Sequence, residues 1–307
     1  MSPSRNEKRR GAQTQEVGGL LVHPGGFAGI FANSSREELT SRLGFTLTEL
    51  LAILTVLTLL GMAFTSTFAS TKSGSAGFVC MNNLRQLASA WKMYADDSAA
   101  GLVYNTDGSQ SGKSPSARCW VGGWLDYNGG SDNTNTALLV NHPLYPFAAY
   151  LGPYLKDPTV FKCPADESVA YIAGHTYPRV RSYSMNNTFG VGSRMWTTPS
   201  RFTQHVNLSD VKHPSQLFIF IEEHNGSIND PCFLSDPDTA WQMIDFPAAY
   251  HNSGCNLVFV DGHAEQHRWI DSRTTPIVPA GTFIPLNQNL PGDLDVQWLQ
   301  QHADERP

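Results

Sequence analysis

No CxxC pair and no Cys/His pattern with zinc-ligand spacing occurs in the 307 residues, which speaks against a structural zinc site. The chain also lacks a G-x-S-x-G elbow, an H-E-x-x-H helix, a G-x-G-x-x-G turn and a P-loop, so nothing in it supports a nucleophilic enzyme. No internal repeat is visible. Basic charge is scarce after the first segment. Residues 1–44 carry six Lys/Arg and four Glu, which leaves fifteen basic against 23 acidic residues for the rest. That deficit excludes the basic footprint a nucleic-acid partner requires. No cysteine precedes residue 80. All five (Cys80, Cys119, Cys163, Cys232, Cys255) come later, as expected of a domain exported to an oxidising space, and the odd count leaves one thiol unpaired or paired between chains.

What is present begins with a long apolar run. Residues 1–43 mix charged and small residues without periodicity and read as a leader. From Phe45 to Ala69, 25 residues carry a single formal charge, Glu49. At about 1.5 Å per residue such a helix crosses a hydrocarbon core of about 30 Å. A carboxylate at that depth is costly, so Glu49 calls for a partner. Arg36 and Arg42 before the run balance Lys72 and Arg85 after it, and only the cluster at residues 5–10 tips the N-terminus toward the cytoplasm. After a small-residue patch at 73–77, Cys80, Leu84, Leu87, Ala88, Trp91 and Tyr94 recur at helical spacing until Asp96-Asp97, which predicts an amphipathic helix over 78–97. Past residue 100 short apolar runs alternate with Gly, Pro, Asn and Asp. "QLFIFIEE" (216–223) and "CNLVFV" (255–260) read as buried strands, the second entering a hairpin at Asp261-Gly262 whose residues suit a type I′ turn. Residues 126–136 read as an exposed loop, and the Pro- and Gly-rich residues 271–307 either wrap the domain or hang free.

Gly44, Phe45 and Glu49, in Gly-Phe-Thr-Leu-x-Glu-Leu-Leu at the mouth of an apolar helix, resemble the prepilin-type cleavage and methylation motif of type IV pilins and type II secretion pseudopilins. The resemblance implies cleavage after Gly44 by a prepilin peptidase, N-methylation of Phe45, and a Glu49 that faces the terminal amine of a neighbouring subunit and sets axial register, because a buried charge is tolerated when paired. The leader is longer than is usual for that family. "CMNNLRQLASAWKMYADD", "FKCPAD" and "EEHNGSIND" are similar to stretches of a bacterial pseudopilin-like group that carries a C-terminal H-x9-DG motif, here His251 and, after nine residues, Asp261-Gly262. The implied fold is α+β. It has a leader at 1–44, a pilin-like helix at 45–97 (membrane-spanning at 45–69, amphipathic at 78–97), and an exported β-rich domain at 98–307.

The domain offers one polar constellation. Glu222, Glu223, His224 and Asp230 surround a strand end, His251, Asp261 and His263 bracket the hairpin, and His263, Glu265 and His267 share a strand face. Glu223, Asp230, His251, Asp261 and His263 would suit a metal if they converged, calcium with the oxygen ligands or a transition metal with imidazole added. The plainer expectation is that Asp261-Gly262 is turn chemistry alone. Cys80 and Cys163 form a candidate disulfide between the helix and the first strands. Trp120 and Trp124 are either a glycan-stacking platform or core residues. Three functions follow: a non-enzymatic fibre subunit of the inner membrane, partnered by the peptidase and by other pilin or pseudopilin subunits; a membrane-tethered, extracytoplasmic glycan- or metal-binding module; and, with least behind it, a metal-dependent hydrolase on His251, Asp261 and His263.

Overall fold

The computed structural model describes residues 45–191, 204–236 and 240–305, and within them the side chains of 61–75 lie outside the described set. The expected leader, including Gly44, lies outside it as well. Contacts divide the chain into two compact units, Met1–Thr55 and Val56–Pro307.

In the first unit the helix α1 (Leu47–Asp97) begins for a local reason. The backbone N–H and the hydroxyl of Thr46 both donate to Oε2 of Glu49 at 2.8 Å, and Thr46 Oγ1 accepts from the Glu49 N–H at 3.3 Å. This reciprocal exchange is a capping box, which satisfies two N–H groups that a helix start otherwise leaves orphaned. Glu49 therefore has a task within its own chain. The side chains of 45–60 are all exposed. Among the described residues no helix is long and apolar enough to cross a membrane; the expected span at 45–69 extends into 61–69, whose side chains lie outside the described set.

In the second unit α1 has the expected stripe. Cys80, Leu84, Leu87, Ala88 and Trp91 are buried, and Tyr94 packs partly buried against the same cluster. The helix ends just past Asp97, where Ala99 and Ala100 turn to φ 54° and 66° and the Ala100 N–H returns to the Ala95 carbonyl at 2.8 Å. A short helix α2 (Ala137–Val140) follows, then a two-stranded ribbon, β1 (Val169–Ile172) with β2 (His175–Pro178). The expected exposed loop at 126–136 is partly built in: Asn133 is buried and donates to Asp126 Oδ1 at 2.8 Å.

The main sheet comprises β3 (Tyr183–Asn186), β4 (Phe218–Glu222), β5 (Cys232–Phe233), β7 (Gly254–Phe259) and β8 (Ala264–Arg268), in the order β5-β3-β4-β7-β8. Its pairs are antiparallel except β3 with β5. A ribbon of β6 (Gln242–Met243) and β9 (Gln288–Asn289) and a final helix α3 (Leu294–Ala303) complete the unit. β4 and β7 are buried throughout because both faces of the sheet are covered. Phe220 and Val258 join the cluster that contains the buried face of α1, while Phe218, Leu257 and Phe259 join a second cluster with Val296, Leu299 and Ala303 of α3. Residues 271–305 thus wrap the domain.

One irregularity decides which way the site faces. The pairing of β4 with β7 slips between Phe218 and Phe220, a bulge that places Ile219 and Phe220 in the α1-side cluster and Ile221 in the other. Simple alternation would put Glu222 on the side of Phe218. With the bulge, Glu222 faces α1.

Candidate metal centre

Four separate elements deliver one donor each to a single buried point. Cys80 comes from α1, Cys163 from the segment after the 3-10 turn Pro158–Phe161, Glu222 from the end of β4, and His251 from the turn before β7. All four are buried, and their ligating atoms lie within 4.8 Å of one another. Cys80 Sγ stands 3.2 Å from Glu222 Oε1, Cys163 Sγ 3.4 Å from His251 Nε2, and His251 Nε2 3.2 Å from Glu222 Oε1. Among the described residues this is the group of such side chains with metal-holding geometry.

The surroundings hold each donor in place. The Asn256 N–H donates to Glu222 Oε2 at 3.1 Å, the Tyr183 hydroxyl to Cys80 Sγ at 3.3 Å, and the Ala165 N–H to Cys163 Sγ at 3.3 Å. His251 is aimed by a tight turn: it exchanges two backbone bonds with Gly254, each 3.1 Å, across Asn252 at φ 54° and Ser253 at φ 61°. Positive φ at both central residues is the type I′ signature expected of Asp261-Gly262. Gly77 admits the imidazole, since a Cβ there would stand 3.3 Å from Nδ1. The Gly77 carbonyl also accepts from Asn256 Nδ2 at 3.1 Å, which ties α1 to β7 beside the site.

The electrostatics follow from burial with few partners. Burial alone disfavours an imidazolium, but hydrogen bonds to Cys163 and Glu222 outweigh it and hold His251 up at about 10. The Cys163 thiol is pushed up by its contact with Cys80 and then by burial, and burial is the first cause for Cys80 and Tyr183 as well. Without a cation the cysteines are held as thiols. Cys80 and Cys163, expected as a disulfide, are brought together as free thiols.

The expected metal set of Glu223, Asp230, His251, Asp261 and His263 does not converge; it divides three ways. His251 is in the site above. Asp261 lies at the far end of β7, and six strand residues at about 3.3 Å each place it about 20 Å along, too far to share an ion with His251. There Asp261 Oδ1 accepts from the His263 N–H at 3.0 Å and pairs with His263 Nδ1 at 2.6 Å, both side chains partly exposed. Only Gly262 of the Asp-Gly pair has a positive φ, 98°, and its N–H returns to Phe259 O at 2.9 Å. The turn is therefore a type I turn closed by a left-handed glycine, not type I′. With the motif's ends apart, the expected hydrolase on His251, Asp261 and His263 has no common site.

Glu223 and Asp230 lie near the buried Arg181 and share a second acidic group with Asp245. The Arg181 guanidinium donates to the Asp230 carbonyl at 2.9 Å and to the Tyr183 carbonyl and Ser184 hydroxyl at 3.2 Å. Burial drives Glu223 up to about 8 and Asp230 up to about 6, and holds Asp245 well above the usual carboxylate range. At about 8 the Glu223 carboxyl is mostly protonated near neutrality. Elsewhere, Trp120 is a core residue: its ring lies 4.8 Å from that of Phe220, and its Nε1 donates to the Pro231 carbonyl at 3.1 Å. It offers no glycan platform.

Sequence reasoning grouped Glu222 with the acids nearest it in the chain and missed its link to the cysteines. A signal was available, since a glutamate closing an unbroken apolar strand must find a buried partner. No protein-family model, curated protein or solved structure matches the chain, so the pseudopilin resemblance rests on the residues that carry it.

Proposed function

We propose that the chain is a pseudopilin-like structural subunit, cut between Gly44 and Phe45 by a prepilin peptidase and methylated on Phe45. Residues 45–69 hold it in the inner membrane with the N-terminus cytoplasmic and the C-terminal domain periplasmic or extracellular. Other pilin or pseudopilin subunits then take it up into a type II secretion or type IV pilus-like fibre. Its chemistry is assembly, with no substrate turned over.

The observation that carries this reading is the contrast along α1. Between Phe45 and Leu60 ten large apolar side chains are exposed, whereas from Cys80 to Ala95 one helix face is buried in the domain. An exposed apolar surface of that kind marks a region covered by lipid or by other helices. Glu49 supplies the register: its carboxylate exchanges its capping contacts with Thr46 for the freed amine of a neighbour.

Mass analysis of the mature N-terminus tests the processing, with N-methyl-Phe45 expected; an uncut start sinks the proposal. Glu49→Gln tests the charge, because glutamine at the third helical position keeps the capping box while removing the carboxylate. Expected is normal membrane insertion and helix content with loss of fibre assembly. Full recruitment of that variant into fibres removes the register argument.

A further inference from the structure

We infer that Cys80, Cys163, Glu222 and His251 form a four-ligand structural zinc site that fastens α1 to the main sheet. The inference is independent of the assembly reading.

Geometry comes first. With Zn–S near about 2.3 Å and Zn–N and Zn–O near about 2.0 Å, a tetrahedron has N···O edges of about 3.3 Å and S···N and S···O edges of about 3.5 Å. The corresponding edges here are 3.2 Å from His251 to Glu222, 3.4 Å from Cys163 to His251 and 3.2 Å from Cys80 to Glu222. A chain of hydrogen bonds would satisfy those pairs in succession. It would not require all four donor atoms to close around one point, as they do within 4.8 Å.

The donor set then selects the ion. Two sulfurs, an imidazole and a carboxylate suit a borderline-soft dication and disfavour calcium, which takes oxygen. All four ligands come from the protein and all are buried, so the site is closed and structural rather than open and catalytic. Both sulfurs accept a hydrogen bond from outside the cluster, Cys80 from the Tyr183 hydroxyl and Cys163 from the Ala165 N–H, the outer contacts that stabilise metal-bound thiolates. Glu222 Oε2 is held by the Asn256 N–H, leaving Oε1 for the ion. Binding displaces three protons to solvent, the thiol protons of Cys80 and Cys163 and the Nε2 proton of the His251 ring, and leaves the other ring proton on Nδ1, beside Gly77. A cleft of about 610 Å³ bordered by Cys163, Val79 and Asn83 gives an approach from solvent. The absence of zinc spacing in the sequence is no obstacle, because each ligand comes from a different element and no local pattern exists to be read.

The test uses the full chain, reduced and stripped of metal, titrated with cobalt(II) and then with zinc(II). Expected is one equivalent of cobalt with thiolate-to-metal charge-transfer bands and tetrahedral ligand-field bands, displaced by zinc. Tyr183→Phe, which leaves every ligand in place, should weaken zinc by about tenfold. Cys80→Ser and His251→Gln should weaken it further, and Cys232→Ser, outside the site, should leave it unchanged. The inference is overturned if the reduced, folded wild-type chain takes up neither metal, or if Cys80→Ser and His251→Gln bind as tightly as wild type. Recovery of the native chain with a Cys80–Cys163 disulfide in place of bound zinc also overturns it.

Discussion

Glu222 and Glu223 are neighbours in sequence, both buried, and they serve opposite environments. Glu222 faces α1 and meets two thiols and an imidazole. Glu223 turns the other way, toward Arg181, Asp230 and Asp245, and accepts from the Ser227 hydroxyl at 2.8 Å. One residue along the backbone separates a site rich in metal donors from a site crowded with acids. The lesson is that a buried carboxylate is defined by what is brought against it: α1 brings the sulfur of Cys80 to one side, and the segments after β4 and β6 bring Asp230 and Asp245 to the other.

The largest expected break of that comparison is Glu222→Ala. It leaves the His251 imidazole, the Cys80 thiol and the Asn256 N–H facing a void, and removing one partner of a buried charged pair costs about 3–5 kcal/mol. Urea unfolding of the full chain reads this as a lowered midpoint. Glu223→Gln should cost far less, because its carboxyl is already largely protonated near neutrality and an amide can keep the Ser227 contact. If the two variants prove equally damaging, the contrast between the two environments is wrong.

Proton linkage sharpens the same contrast. Burial, with Asp230 and Asp245 adding like charge and Arg181, Ser184 and Ser227 opposing them, raises Glu223 from 4.5 to about 8. Burial likewise raises Asp230 from 3.8 to about 6. Between each ordinary value and each folded value the native chain holds more protons than the unfolded chain. Stability from this group is therefore present at low pH and is lost as pH rises from about 4.5 to about 8. Denaturant midpoints measured across that window should fall for wild type and fall less steeply for Glu223→Gln. A midpoint independent of pH in wild type, or an unaltered slope in the variant, would remove the acid cluster as the cause.

Much of the fold was legible because it is written in local periods. The buried stripe Cys80, Leu84, Leu87, Ala88, Trp91 of α1 is a 3.6-residue repeat, β4 is an apolar run closed by Glu222, and β7 is an apolar run interrupted by Asn256. The Asp261-Gly262 hairpin was legible too, though not its turn type, which depends on whether one or both residues adopt positive φ. The site was not legible because it is non-local: 142 residues separate Cys80 from Glu222, and 88 separate Cys163 from His251. The nine residues between His251 and Asp261 were read as one motif, yet they are mostly a strand, and a strand carries its two ends apart. The bulge between Phe218 and Phe220 removed the last chance of inference by alternation, since it changes the face on which Glu222 lies.

The smallest expected effect lies at the His251 end of that motif. Ser253 sits at φ 61°, in the left-handed region, where a side chain with a Cβ is strained by about 1–2 kcal/mol. Asn252, at φ 54°, tolerates the region better because asparagine is one of the residues that enter it readily. Ser253→Gly removes the strain, and the extra freedom of glycine in the unfolded chain returns about 0.5–1 kcal/mol of the gain. The net rise should be under about 1 kcal/mol, seen as a thermal midpoint higher by about 2 °C. Because the exchange between His251 and Gly254 uses only backbone atoms, His251 stays aimed at Cys163 and Glu222, and zinc uptake should match wild type. A less stable Ser253→Gly would mean that the serine side chain supports the turn. Gly254→Ala would be far worse, because its Cβ would overlap the His267 carbonyl oxygen; in this turn relief is possible at the exposed corner and not where β7 meets β8.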